Sequence, residues 1–165
     1  MMYFETVPFD EFSESLGNLV PNYNDNHYWV FDDIQLPTRA SVGSCGYDII
    51  SPISFSLQPN ESIVIPTGIR WVTDQQDKTL LIFPRSGLGF KHQCRLANTT
   101  GVIDSDYWKS DNYGHIMIKL VNGGDKVMDI DAGKAIAQGV IMSYCTVDDD
   151  NTTDTRNGGF GSSGR

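Results

Sequence analysis

Sixteen glycines and seven prolines cut this chain into short runs of β-branched and aromatic residues, and no long stretch sustains the 3.6-residue apolar period of a helix. A chain punctuated in this way reads as all-β. Strands are expected over Ser62 to Ile65, Ile69 to Thr73, Thr79 to Phe83, His115 to Val121 and Ile136 to Tyr144. From His115 to Val121 the apolar Ile116, Ile118 and Leu120 alternate with His115, Met117 and Lys119, the period of a strand with one buried face. Turn residues separate the runs at Pro59-Asn60, Pro66-Thr67-Gly68, Asp74 to Lys78 and Asn122-Gly123-Gly124-Asp125.

At 165 residues the chain has the size of one domain. Such a domain buries about two thirds of its unfolded surface, so it needs neither disulfides nor zinc to acquire a core. Twelve Lys and Arg against 21 Asp and Glu leave a net charge of −9, which argues against a nucleic-acid polymer as partner, because that binding needs a basic footprint. No apolar run is long enough for a membrane span. Cys45, Cys94 and Cys145 are odd in number and lack CxxC spacing, as expected in a reducing compartment, and the first residues lack the pattern of a signal peptide. A cytoplasmic location is expected.

Three regions are expected. Residues 1–33 read as a loose lead-in with one short helical turn, residues 34–147 as the β domain, and residues 148–165 as a mobile arm. The arm's composition of Asp, Asn, Thr, Ser and Gly, with Phe160 its one large apolar side chain, cannot sustain a core.

Three segments carry chemistry. Gly159, Gly161 and Gly164 satisfy GxGxxG, but no strand precedes them and no helix follows within the chain, so the phosphate-binding turn of that motif is not implied. Taken as an arm, the same glycines, two serines and Arg156 suit a polyphosphate, and Phe160 suits stacking on a base. Pro84-Arg85-Ser86-Gly87-Leu88-Gly89 follows an apolar run and can offer guanidinium, hydroxyl and amides to one phosphate. In Asn98 to Tyr107 an apolar Val102-Ile103 pair leads into Asp104 and Asp106, which would point to the same side on an extended backbone. One of them could act as base on a water. Alone, the tail reads better as a disordered end and the other two segments as ordinary surface turns.

In this order the segments resemble the dUTP diphosphatase (dUTPase) family, of the trimeric all-β kind, across roughly Ile34 to Gly164. Five motifs carry the resemblance: Gly46-Tyr47-Asp48-Ile49, Pro84-Arg85-Ser86-Gly87, Gly101 to Tyr107, Gly133 to Gln138, and Arg156 to Gly164. It implies a distorted jelly-roll-like β barrel and a homotrimer with three shared sites. It also implies hydrolysis of dUTP to dUMP and pyrophosphate with Mg2+. Asp104 matches the carboxylate that activates water, and Tyr107 the aromatic ring beneath the deoxyribose. Asn98, Gly101 and Ile103 match the hairpin that reads uracil. Arg85, Ser86, Gly87 and Gln138 match phosphate-binding positions. Asp48 matches a carboxylate supporting the metal through water. Arg156, Phe160, Gly161, Ser162 and Ser163 match the arm that closes over the nucleotide.

Two features depart from the family. The fourth motif has Lys134 and Ala135 where an acid and a base are usual, and Trp108 to Tyr113 is an insertion of the kind seen in bacterial and phage members. Two alternatives follow. A dCTP deaminase shares the fold, but its catalytic glutamate is replaced here by Lys119, and its His-Pro-Gly-Trp-like turn is absent. A regulatory protein that keeps the pocket but docks a protein partner would use the acidic surface and the insertion.

Overall fold

In a computed structural model, which describes residues 1–154, the short apolar runs form strands and the N-terminal region two helices. In chain order the elements are β1 (Met2–Thr6), α1 (Phe9–Leu19), α2 (His27–Asp32), β2 (Thr38–Arg39), β3 (Gly46–Ile50) and β4 (Phe55–Leu57). There follow β5 (Ser62–Pro66), β6 (Ile69–Thr73), β7 (Lys78–Pro84), α3 (Ser86–His92), β8 (Arg95–Leu96) and β9 (Gly101–Asp104). A 3-10 turn (Tyr107–Lys109), β10 (Met117–Val121), β11 (Met128–Ile130) and β12 (Ala135–Ser143) complete them. All the pairings among these strands are antiparallel, as the reading of an all-β domain requires.

The largest sheet has five strands in the order β2-β3-β12-β7-β9, so the last strand among the described residues lies at its centre. A three-stranded sheet β5-β10-β8 and the pairs β1-β6 and β11-β4 complete the sheet structure. The sheets share one core: Ile49, Leu80, Ile82 and Ile136 come from the five-stranded sheet, and Ile65, Leu96, Ile118 and Leu120 from the three-stranded one. Period-2 alternation explains the partition, since Ile118 and Leu120 are buried while Lys119 between them is exposed.

The N-terminal region holds more than one helical turn. β1 lies against β6, and α1 buries Phe12 and Leu16 completely in the common core. Its apolar positions Phe9, Phe12, Leu16 and Leu19 fall on one face, and burying two of them contributes about 1.5–3 kcal/mol each. No side chain caps the helix start, where Pro8 stands, so packing rather than local signals holds it. His115, expected on the solvent face of its strand, is fully buried. The ladder of β10 begins only at Met117, and Gly114, with φ +74°, turns the chain so that His115 and Ile116 both enter the core.

Candidate functional site

β3, β12 and the end of β7 converge three residues. Gln138 on β12 is in register with Asp48 on β3 and with Phe83 on β7. Arg85 follows directly on β7, and its Nη1 donates to Asp48 Oδ2 at 2.6 Å. Gln138 Nε2 donates to the Pro84 carbonyl at 3.4 Å. Gly46 makes room for this arrangement, because a Cβ there would lie 2.5 Å from Gln138 Oε1. Ser86 and Gly87 open α3 on the exposed side of Arg85. First-turn amides have no acceptor within their own helix. A guanidinium aimed by a carboxylate, a primary amide, a hydroxyl and open amides form an anion-accepting cluster. A shallow cavity of about 270 Å³ lies beside it, lined by Pro84, Arg85, Ser86, Gly89 and Phe90.

The second group lies at the far end of the same sheet. β9 pairs with β7 so that Gly101 faces Ile82 and Asp104 faces Thr79. Gly101 lets β9 approach closely, since a Cβ there would lie 3.1 Å from the Ile82 Cβ. Five positions of β7 separate Thr79 from Pro84, about 17 Å at the rise of a strand. Asp104 therefore does not meet Arg85 within one chain. The expectation that Asp104 and Asp106 share an extended backbone is corrected. β9 ends at Asp104, and Asp106, with φ −99° and ψ −1°, has turned into the 3-10 segment.

Tyr107 is buried at 7% exposure, and its hydroxyl donates to the His115 carbonyl at 3.1 Å. The His115 ring is held in turn. Its Nε2 accepts the Gly68 N–H at 2.8 Å, and its Nδ1 faces Glu11 Oε1 at 3.1 Å. Burial pushes this imidazole below its ordinary range, against the opposing pull of the Glu11 carboxylate. Asn98 is exposed in the turn before β9 and lines a mostly apolar cavity of about 750 Å³ together with Asn112, Met117 and Lys119.

Arg156, Phe160, Gly161, Ser162 and Ser163 lie outside the described residues. Lys134 sits exposed in the turn that follows Asp131, with Gly133 at φ +82°, and β12 starts at Ala135 with a register irregularity before Ala137. The sequence reading missed the contacts of Ser110 and Asn112 with Tyr107 and the Glu11–His115 pair. The first had a signal in the Asn112-Tyr113-Gly114 turn beside the tyrosine, whereas the second joins residues 104 apart and had none.

Among the described residues, no group of three or more His, Cys, Asp and Glu could hold a metal, and no helix is long and apolar enough to cross a membrane.

A family model described as dUTPase matches residues 32–164. The deoxyuridine 5'-triphosphate nucleotidohydrolase of Haemophilus influenzae strain PittEE is 38% identical over 141 residues, 81% of this chain and 90% of that protein. That of Tolumonas auensis is 39% identical over the same shares. Among solved structures, the dUTPase of Streptococcus mutans superposes with a TM-score of 0.67 at 27% identity, covering 88% of this chain and 98% of that one. The Staphylococcus bacteriophage 80alpha dUTPase with dUPNHPP gives 0.58 at 26% identity, covering 79% and 92%.

Proposed function

The chain belongs to the dUTPase family and hydrolyses dUTP to dUMP and pyrophosphate, and we propose that Asp104 is the base that activates the attacking water. The water oxygen bonds to the α-phosphorus and the bond from that phosphorus to the α–β bridging oxygen breaks. Pyrophosphate leaves, and the water's proton passes to Asp104. Arg85, Ser86, Gly87 and Gln138 hold the phosphates, and Asp48 aims Arg85. Tyr107 packs against the deoxyribose, while Asn98 and the backbone at Gly101 and Ile103 read uracil. Arg156, Phe160, Gly161, Ser162 and Ser163 close over the nucleotide and exclude water. The reaction takes place in the cytoplasm, in keeping with three cysteines that form no disulfide.

The observation that supports a homotrimer is the separation of about 17 Å along β7 between the Asp104 end and the Arg85 end. No single chain can bring that carboxylate to a phosphate held at Arg85, so a second copy supplies it.

Magnesium suits this donor set. Its hard oxygen ligands would come mainly from the substrate phosphates, with Asp48 supporting it through water. Bound there, it would neutralise phosphate charge. Arg85 contributes to the same neutralisation from the protein side.

Pyrophosphate release from dUTP, dTTP, dCTP and UTP, each with magnesium, tests this reading. Turnover of dUTP alone is expected. Release from UTP at the dUTP rate would refute the sugar contact, and no release from dUTP would refute the site assignment.

A further inference from the structure

The residues after Tyr107 fold back onto it before the chain enters β10. Ser110 donates to the Tyr107 carbonyl twice, from Oγ at 2.6 Å and from the backbone N–H at 3.0 Å. Asn112 Nδ2 donates to the Tyr107 hydroxyl at 3.0 Å. The amide is itself anchored, because its Oδ1 accepts the Gly114 N–H at 3.3 Å and sits 2.7 Å from Ser110 Oγ, which shares its one proton between this oxygen and the Tyr107 carbonyl. Gly114 closes the loop so tightly that a Cβ there would lie 2.4 Å from Trp108 Cα and 3.0 Å from the Tyr107 carbonyl oxygen. Tyr113 adopts φ +59°, a conformation costly outside glycine that persists only where the surroundings impose it.

The insertion thus grips Tyr107 at both ends, at its backbone carbonyl and at its hydroxyl. The hydroxyl is fully directed: its proton goes to the His115 carbonyl and it accepts the Asn112 donor. A tyrosine ring turns on two side-chain torsions, and with its tip tethered neither is free.

We propose that Asn112 is a positioning residue for Tyr107, and that through it the insertion sets how strictly the site rejects a ribonucleotide. This rests on the reading that Tyr107 lies against the sugar. A ring excludes a 2′-hydroxyl only while it cannot retreat, and a displacement well under 1 Å at the contact makes room for one oxygen. Untethering the tip admits the extra hydroxyl while leaving the uracil and phosphate contacts in place. Asn112 also lines the cavity that Asn98 borders, so the residue that fixes the ring adjoins the hairpin assigned to the base.

The test is kcat and KM for dUTP and UTP in the full-length protein, Asn112→Ala, Tyr107→Phe, their double variant and Tyr107→Ala, with melting temperatures. Asn112→Ala is expected to lower the dUTP-to-UTP ratio of kcat/KM by about five- to tenfold, the worth of one hydrogen bond. Tyr107→Phe, which removes the hydroxyl's bonds to both Asn112 and the His115 carbonyl, should lower it at least as much, and the double variant should be no worse than Tyr107→Phe, because the Asn112 tether is already gone there. If Asn112→Ala fails to fold, Tyr107→Phe carries the test alone, and an unchanged ratio there overturns the proposal. A loss shared equally by both nucleotides, or additive effects in the double variant, also overturns it. An altered ratio in Tyr107→Ala with none in Asn112→Ala defeats the proposal alone. An unchanged ratio in Tyr107→Ala defeats the sugar contact, and the proposal with it.

Discussion

Acidification from pH 7.5 to 5.5 is expected to loosen the fold through one side chain, His115. Its ring is fully buried, and Nε2 accepts the Gly68 N–H, so the single proton of the neutral ring sits on Nδ1 and faces Glu11. A second proton could go only to Nε2, where it would displace the Gly68 hydrogen bond. Burial, the dominant influence, already pushes the folded-state value below the ordinary one of about 6.5, despite Glu11. Between those two values the unfolded chain binds the extra proton and the folded chain does not. Stability is therefore full above about pH 6.5 and falls as pH drops below it. One group limits the slope to about 1.4 kcal/mol per pH unit. For a chain of this size that corresponds to about 2–4 °C in Tm per kcal/mol. The assay is thermal unfolding at pH 7.5, 6.5 and 5.5, at fixed protein and salt concentration, for the natural chain and for His115→Gln, which cannot titrate. The natural chain should lose Tm between 6.5 and 5.5 and the variant should lose less. Parallel pH curves for the two proteins would refute the reasoning.

Asp104→Asn should lower kcat by about 10²- to 10⁴-fold while dUTP binding stays within about tenfold, as measured by single-turnover kinetics and calorimetry. Asp104→Asn and Arg85→Ala chains, each inactive alone, should recover about a quarter of normal activity when unfolded together and reassembled at random, because a shared site needs one residue from each of two copies; no recovery would place the site within one chain. Ending the chain after Thr155 should leave Tm nearly unchanged, since β12 ends at Ser143 and residues 144–154 are exposed, but should reduce turnover about a hundredfold or more. Gly68→Ala should cost about 2 kcal/mol or more in urea unfolding, because φ is +72° and the added Cβ would lie 2.2 Å from Ile34 Cδ1.

The strands from Ser62 to Phe83 were legible because apolar runs bounded by Pro, Gly and Asn leave the backbone few alternatives. α1 was not, although Phe9, Phe12, Leu16 and Leu19 carry the helical spacing. The segment is only 11 residues long, holds Gly17 and two serines, and starts without a side-chain cap, so its order depends on a sheet formed far along the chain. The same reason hid His115, whose alternation placed it outward until Gly114 and the Gly68 N–H are seen to draw it in. In the site, Asp48, Arg85 and Gln138 were legible as separate motif positions, and the ladder β3-β12-β7 explains why they meet. The distance between Asp104 and Arg85 was not legible, because register along β7 is a property of the pairing rather than of either segment.

The central place of β12 in the five-stranded sheet has a consequence for how the chain is made. β3 and β7 are synthesised well before the strand that joins them, and β7 ends at Pro84 while β12 begins at Ala135. At a synthesis rate of about 5–20 residues per second, the edges that β12 will cover stay open for roughly 3–10 s on a growing chain. Closure of the sheet therefore waits until β12 has left the ribosome. A nascent chain halted between those points would present two unpaired β edges, the kind of surface on which neighbouring chains associate.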